Sequence, residues 1–239
     1  RNMRNNRLYS LLNISGLSLA ILSCIFIALY VLHEKSYDQH WMDFDKIHRV
    51  THYNEEDGNQ KAKDHIESQV VIGDYLKTDY PEVEAVGRIS LYLRRKIAKD
   101  NKWIEQDKIG ITEQGFLDIF SFNPIHGELK HALKDVNTVV LTESVAKKYF
   151  GKSDVVGQHI MLNDSSQYQI TCVIEDIPKN SHFQYSAFLN NGFIERTKRT
   201  WATVSGITYI KFDPDVRVKL KVSSYDMSLE HGAKDWEEA

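Results

Sequence analysis

The stretch Ile174–Phe183 reads IEDIPKNSHF and places Glu175, Asp176, Lys179, Ser181 and His182 close together. A serine nucleophile, an imidazole base and a carboxylate to orient it are the parts of an acyl-transfer site. That chemistry needs the base within hydrogen-bond reach of the nucleophile and a third group holding the base. Ser181 and His182 are adjacent, and adjacent side chains of an extended segment point to opposite faces. Pro178 marks a tight turn, and Asp176, Asn180 and Ser181 are residue types that bond backbone in turns. The expectation is a structured corner leaving a strand, shaped by Asp176, Asn180 and Ser181, with His182 incidental. Ser144 is a second serine to consider. It falls in the first turn of a helical pattern and lacks the strained strand-to-helix elbow of a hydrolase nucleophile.

Metal chemistry is the next possibility, because the chain has ten histidines. His33, His40, His48 and His52 form the densest group. On one strand, His48 and His52 would share a face but sit about 13 Å apart, too far for one ion. No HExxH or HxH pattern occurs. There is also no GxxxxGK[ST] phosphate loop, no GxSxG and no GxGxxG. No catalytic, cofactor-binding or metal-ligating residues are therefore assigned, and no cofactor is expected. Arg94-Arg95-Lys96 reads as a solvated strand end. With a formal net charge of −3 and no basic patch interleaved with aromatics, nucleic acid is not an expected partner.

The elements that would position these residues divide sharply. Leu8 to Leu32 contains no Asp, Glu, Lys, Arg or His. It exceeds the roughly 20 apolar residues a bilayer requires. It is too long for a signal-peptide core and ends without a small-residue cleavage site, so a retained span is expected. Gly16, Ser18, Ala20 and Ser23 would let a second helix approach closely, although such residues are also tolerated in lipid. Arg1, Arg4 and Arg7 precede the run, and Glu34, Lys35, Asp38, Asp43 and Asp45 follow it. The positive-inside rule puts residues 1–7 in the cytoplasm, residues 8–32 in the membrane and residues 33–239 outside. The first residue is Arg rather than Met, which suggests a fragment or a processed product. Cys24 lies in the span and Cys172 far outside it, so no internal disulfide is expected.

Beyond the span, Ile47 to Tyr53 alternates with period two, as a strand does, and Glu55 to Asn59 reads as a turn. Asp64 to Tyr80 is expected to be helical and to stop at Pro81. Ile89 to Ala98 is a strand pattern. Phe116, Phe120 and Phe122 suit a short buried helix before a turn at Asn123-Pro124. Thr138 to Gly151 is the clearest unit. Val139-Val140-Leu141 is a strand, Thr142 is placed to cap a helix by accepting a backbone N–H, and Gly151 is placed to end it. Gly157 then opens a hairpin of Gln158–Leu162 and Tyr168–Ile174 around Asn163 to Ser166. Tyr168, Ile170, Cys172 and Ile174 are expected on one face. Tyr209 to Phe212 suggests one more strand, near Trp201 and Pro214. Strands and helices alternate without a βαβ rhythm, which favours an α+β domain.

The order of these motifs resembles the permease subunits of the MacB/LolCE/FtsX superfamily of ABC transporters, of the Bacteroidetes type. Arg1-Asn2-Met3 with Leu8 to Leu17 is similar to the lead-in to the family's first membrane helix. Glu34-Lys35-Ser36-Tyr37-Asp38 and Asp45 to Val50 are similar to its exit, with His48 where an aromatic is usual. Asp79 to Glu84, Val139 to Gly151, Gly157 and Val173 to Phe183 also resemble family stretches. Together they span roughly residues 1–212. The resemblance implies one transmembrane helix followed by a MacB-like mixed α/β periplasmic core domain, the first of four membrane helices in the family. The tail after Phe212 departs from the pattern and leaves the end of the domain open.

The resemblance further implies a subunit of the bacterial inner membrane that does no covalent chemistry. A cytoplasmic ABC ATPase partner would hydrolyse ATP, and the periplasmic domain would move in efflux, lipoprotein release or mechanotransmission. A homodimer or a paired permease is implied, and a periplasmic adaptor protein is a further possible partner. The alternative is a single-pass sensor with an extracytoplasmic ligand domain. A membrane-anchored hydrolase is disfavoured by the missing nucleophile motifs.

Overall fold

The computed structural model describes residues 7–53, 64–99, 102–162, 166–197 and 204–212. Two compact units emerge: residues 1–40 with 179–182, and residues 41–178 with 183–239. The expected turn at Glu55–Asn59, most of the turn at Asn163–Ser166, Trp201, Pro214 and the tail lie outside the described residues.

The first unit is built on α1 (Arg7–Lys35), 29 residues long. At 1.5 Å per residue it extends about 43 Å. The stretch Leu8–Lys35 has a mean hydropathy of 2.3 over its most apolar window, none of which is buried. It is the one helix among the described residues long and apolar enough to cross a membrane. Backbone bonds from the Ser36 N–H to Leu32 and His33 finish the last turn. The Ser36 hydroxyl donates to the His33 carbonyl at 2.7 Å. Asp38 follows with φ +60°, a left-handed conformation.

The second unit starts with a 3-10 turn (Phe44–Lys46) and continues through β1 (Ile47–Arg49), β2 (His52–Tyr53), β3 (Asp64–His65), β4 (Ser68–Gln69), α2 (Ile72–Asp79), β5 (Val83–Lys99), β6 (Lys102–Thr112), α3 (Gln114–Ile119), β7 (Pro124–Gly127) and β8 (Thr138–Thr142). Then come α4 (Glu143–Phe150), β9 (His159–Leu162), β10 (Ser166–Ile174), β11 (Ala187–Asn190), α5 (Phe193–Thr197) and β12 (Val204–Phe212). The main sheet runs β1-β12-β5-β6-β11-β8-β10-β7. The β10–β8 and β11–β6 pairs are parallel, and the other neighbours are antiparallel. The fold is thus a mixed α+β sheet domain after one apolar helix.

Both faces of the sheet centre are buried. Val140, Cys172, Ile174 and Phe188 join an aromatic cluster with Trp41, Phe116, Phe120, Phe122, Phe183 and Tyr209. Val139, Leu141, Ala187 and Leu189 face the other way and pack with Val145, Ala146 and Tyr149 of α4. Every residue of Thr138–Thr142 is buried, as a central strand requires. The expected short buried helix at Phe116 is present, with the Phe116 ring 4.8 Å from Phe120 and fully buried. It lies directly on β5, because a Cβ on Gly115 would stand 2.2 Å from the Val86 carbonyl oxygen.

Four expectations are corrected. The helix expected over Asp64–Tyr80 is confined to Ile72–Asp79. Its first part forms strands, and Ser68–Gln69 pairs with Val204 and Gly206. The Ser68 hydroxyl, buried, donates to Thr208 at 3.0 Å, so sheet pairing overrides the helical period there. The single strand expected over Ile47–Tyr53 is two strands, one in the main sheet and one in the β2–β3 ribbon. The strand expected from Ile89 already begins at Val83. Finally, Tyr168, Ile170, Cys172 and Ile174 do not share a face. Tyr168 and Ile170 belong to one core cluster, and Cys172 and Ile174 to the other. A β-bulge between Ile170 and Cys172 inserts Thr171 and flips the side-chain period. The Thr171 hydroxyl is positioned by the carbonyls of Ala132 (2.8 Å) and Val139 (3.2 Å).

Candidate functional site

The ionisable and nucleophilic residues of Ile174–Phe183 are sent to separate destinations. Glu175 turns back along the sheet edge. Its backbone N–H donates to the Asn123 carbonyl at 3.0 Å, and Asn123 Nδ2 donates to its carboxylate at 2.9 Å. This clamp continues the β10–β7 ladder past its bulge at Ile174.

Asp176 reaches the start of α4. Its Oδ1 accepts the Ser144 backbone N–H at 3.1 Å, and its Oδ2 accepts a short bond from the Ser144 hydroxyl. Thr142 is the N-cap residue in position, but its side chain makes no capping bond. Its hydroxyl donates instead to the Ser186 carbonyl at 3.2 Å. The capping acceptor is therefore Asp176, and its negative charge also suits the helix dipole. The other end of α4 is as expected, with Gly151 at φ +72° donating its N–H to Lys147. Lys147 pairs with Glu143 at 2.7 Å.

A shallow depression of about 390 Å³ lies beside this contact, lined in part by Lys108, Ser144, Lys148, Asp176 and Gln184. Among the described residues lining it there is no histidine. Ser144 Oγ is committed to a carboxylate rather than to an imidazole, so no nucleophile–base pair is assembled there.

Asn180, Ser181 and His182 belong to the first unit and bind the segment just after α1. Asn180 Nδ2 donates to the Ser36 carbonyl at 2.9 Å. The Asp38 N–H donates to the Asn180 carbonyl at 2.9 Å. A single oxygen of Asp38, Oδ1, then receives the Ser181 hydroxyl at 3.1 Å, the His182 N–H at 3.0 Å and His182 Nδ1 at 2.8 Å. These bonds join positions up to 144 residues apart in the chain. His182 is thus a principal member of the strap, not an incidental residue. Burial disfavours charge on Asp38, but the His182 N–H, the His182 ring and the Ser181 hydroxyl outweigh it and hold the carboxyl below its usual range.

This Ser–Asp–His group is wired differently from a hydrolytic triad. In a triad the imidazole lies between carboxylate and serine; here the carboxylate lies between serine and imidazole. The aspartate holds both partners in place, and the serine proton is directed at a carboxylate. The arrangement fastens a chain crossing. Lys179 is exposed beside it. Elsewhere, the histidines once grouped by sequence are dispersed: His48 packs edge-on to Phe212 at 5.2 Å in the main sheet, and His52 lies in the β2–β3 ribbon. Among the described residues, no three His, Cys, Asp or Glu side chains gather as a metal-binding group.

Comparison with known proteins defines the class. Residues 10–222 match the MacB-like periplasmic core domain, and the chain belongs to that family. A domain of a protein described as a permease, from Porphyromonas gingivalis, is 27% identical with a TM-score of 0.65, over 84% of this chain and 83% of that one. The periplasmic region of MacB from Actinobacillus actinomycetemcomitans shares the fold at 14% identity and a TM-score of 0.52, over 80% and 84% of the two chains. The extracellular domain of the noncanonic ABC-type transporter YknZ from Gram-positive bacteria does so at 13% identity and 0.54, over 78% and 95%. Among curated proteins, none matches the chain. The apolar helix and the periplasmic family together describe a membrane-anchored permease-type protein with an extracytoplasmic domain.

Proposed function

We propose that the chain is the non-catalytic permease subunit of an ABC transporter, coupling ATP hydrolysis by a separate cytoplasmic ATPase to movement outside the membrane. The observation that carries this reading is the family match over residues 10–222, which runs from within α1 to beyond β12. In this reading residues 1–7 are cytoplasmic, α1 spans the bacterial inner membrane and the sheet domain is periplasmic. The arginines before the helix and the acids after it support that orientation. A second copy or a paired permease would complete the membrane part, and a periplasmic adaptor would read the domain's movement. Efflux and mechanotransmission are the two uses that fit.

The strap suits such a role. A movement of the end of α1 is passed by the Asp38 and Ser36 bonds to Asn180–His182. Those residues are joined by the backbone to the exit of β10 on one side and to Phe183 on the other. Covalent chemistry at the corner is unnecessary in this account. Protease protection in spheroplasts tests the orientation. A tag before Arg1 should survive external protease, and a site in the sheet domain should be cut. The reverse pattern would remove the proposal.

A further inference from the structure

We infer that the turn following α1 in the chain rests in the headgroup layer of the bilayer that α1 crosses, with Met42 and Phe44 as its lipid-facing side chains. The inference rests on α1 as a membrane anchor, and not on the proposed orientation or on an ATPase. Met42 is 71% exposed and Phe44 46% exposed. Among the described residues beyond α1, no other large hydrophobic is as open as Met42. Lone apolar residues on a surface are ordinary, but a pair held out on one fixed turn points to a covering surface. The pair is not exposed through looseness. Trp41 is buried, its ring 5.2 Å from Phe120 and 5.0 Å from Phe122. The Met42 N–H donates to Ser121 Oγ at 2.7 Å. Asp43 sits at φ +58°, and its carboxylate pairs with Lys46 at 2.8 Å and Lys211 at 3.1 Å. These contacts fix the backbone so that Trp41 enters the core while Met42 and Phe44 stay outside it.

The cover is the bilayer because the chain delivers the turn to it. At 1.5 Å per residue the uncharged run Leu8–Leu32 extends about 37 Å. That exceeds the roughly 30 Å of hydrocarbon, so the end of α1 reaches the headgroup layer. Met42 comes seven positions after Lys35, the last residue of α1. Full extension of that interval would be about 25 Å. It is built of turns instead: the Ser36 and Tyr37 N–H groups bond back to α1, and Asp38 is left-handed. Tyr37, within the interval, is exposed and of a type enriched at the membrane–water interface. Charge does not oppose the contact. The acids of the turn, Asp43 and Asp45, are matched by Lys46 and Lys211, whose stems can lie on apolar surface while the ammonium stays in water.

Peroxide oxidation of the whole chain in phosphatidylcholine nanodiscs tests this, with each methionine followed by mass spectrometry. Met161, on β9 and 43% exposed, is the internal reference. By exposure in the folded chain alone, Met42 should oxidise faster than Met161. Under lipid it should oxidise about fivefold more slowly. A trace of phosphatidylcholine carrying a diazirine near its headgroup then identifies the cover. Photo-adducts are expected on Met42–Phe44 as well as on the end of α1. Oxidation of Met42 as fast as Met161, or faster, would overturn the inference. So would a protected Met42 without lipid adducts, which would put a second copy or another protein on the turn. Adducts missing from α1 as well would remove the anchor and the inference with it, a failure distinguishable from the other two.

Discussion

The carboxylate of Asp176 accepts both the backbone N–H and the hydroxyl of Ser144, so a residue 32 positions later in the chain caps α4. Asp176→Ala should destabilise the domain by about 1 kcal/mol, in the range of a lost N-cap. Thr142→Val should cost less, because the Ser186 carbonyl keeps its bond from the Thr142 N–H at 3.1 Å. Urea denaturation of the two variants, side by side, checks the order.

Gly115→Ala is expected to be severe for a substitution of one methyl group. The new Cβ would lie 2.2 Å from the Val86 carbonyl oxygen, and backbone cannot yield as a side chain can. A loss of about 2–3 kcal/mol is expected, with α3 displaced from β5. Thermal unfolding and the near-ultraviolet signal of the surrounding aromatics would record it.

Arg88 is buried, with its side chain only 3% exposed, and it bridges Asp74 and Glu113, the latter at 2.6 Å. Removing it by Arg88→Ala should cost about 3 kcal/mol, near the lower end for a broken buried pair, since both carboxylates keep some access to water. Arg88→Lys should recover only part of this loss, because an ammonium cannot reproduce the two-pronged geometry. Equilibrium unfolding of the two variants gives both figures.

Burial pushes the Cys172 thiol up to about 11, against a weaker opposing contribution from a hydrogen bond with the Val173 backbone. Since thiolate is the reactive form, alkylation at pH 8 should run about 100-fold slower than for an ordinary thiol. The rate should rise to the ordinary value in urea. Mass spectrometry of the Cys172 peptide follows it, and rapid labelling of the folded chain would contradict the buried placement.

What could be read from residue order was what local geometry controls. Thr138 to Gly151 was legible because an apolar strand, a helix and a left-handed glycine follow one another within a few residues. The Phe116 helix was legible from its aromatics. The α+β class followed from the mixture of periods. The start of α2 was missed because Ser68–Gln69 is held by β12, far along the chain. The exchange of faces in β10 was missed because one bulged residue, Thr171, reverses a period of two. At the corner, the turn residues were identified but their partners were not. Asp176 caps a distant helix, and His182 pairs with Asp38 across 144 positions. Contacts so far apart leave no periodic trace in a single sequence.

The central claim is that this chain works as the membrane partner of an ATPase. Affinity purification of the tagged chain from its native membranes, in mild detergent, tests it directly. The account predicts that a cytoplasmic protein bearing a GxxxxGK[ST] loop is recovered in stoichiometric amount, with ATP hydrolysis in the eluate. Recovery of a signalling kinase in its place, with no ATPase, would contradict it.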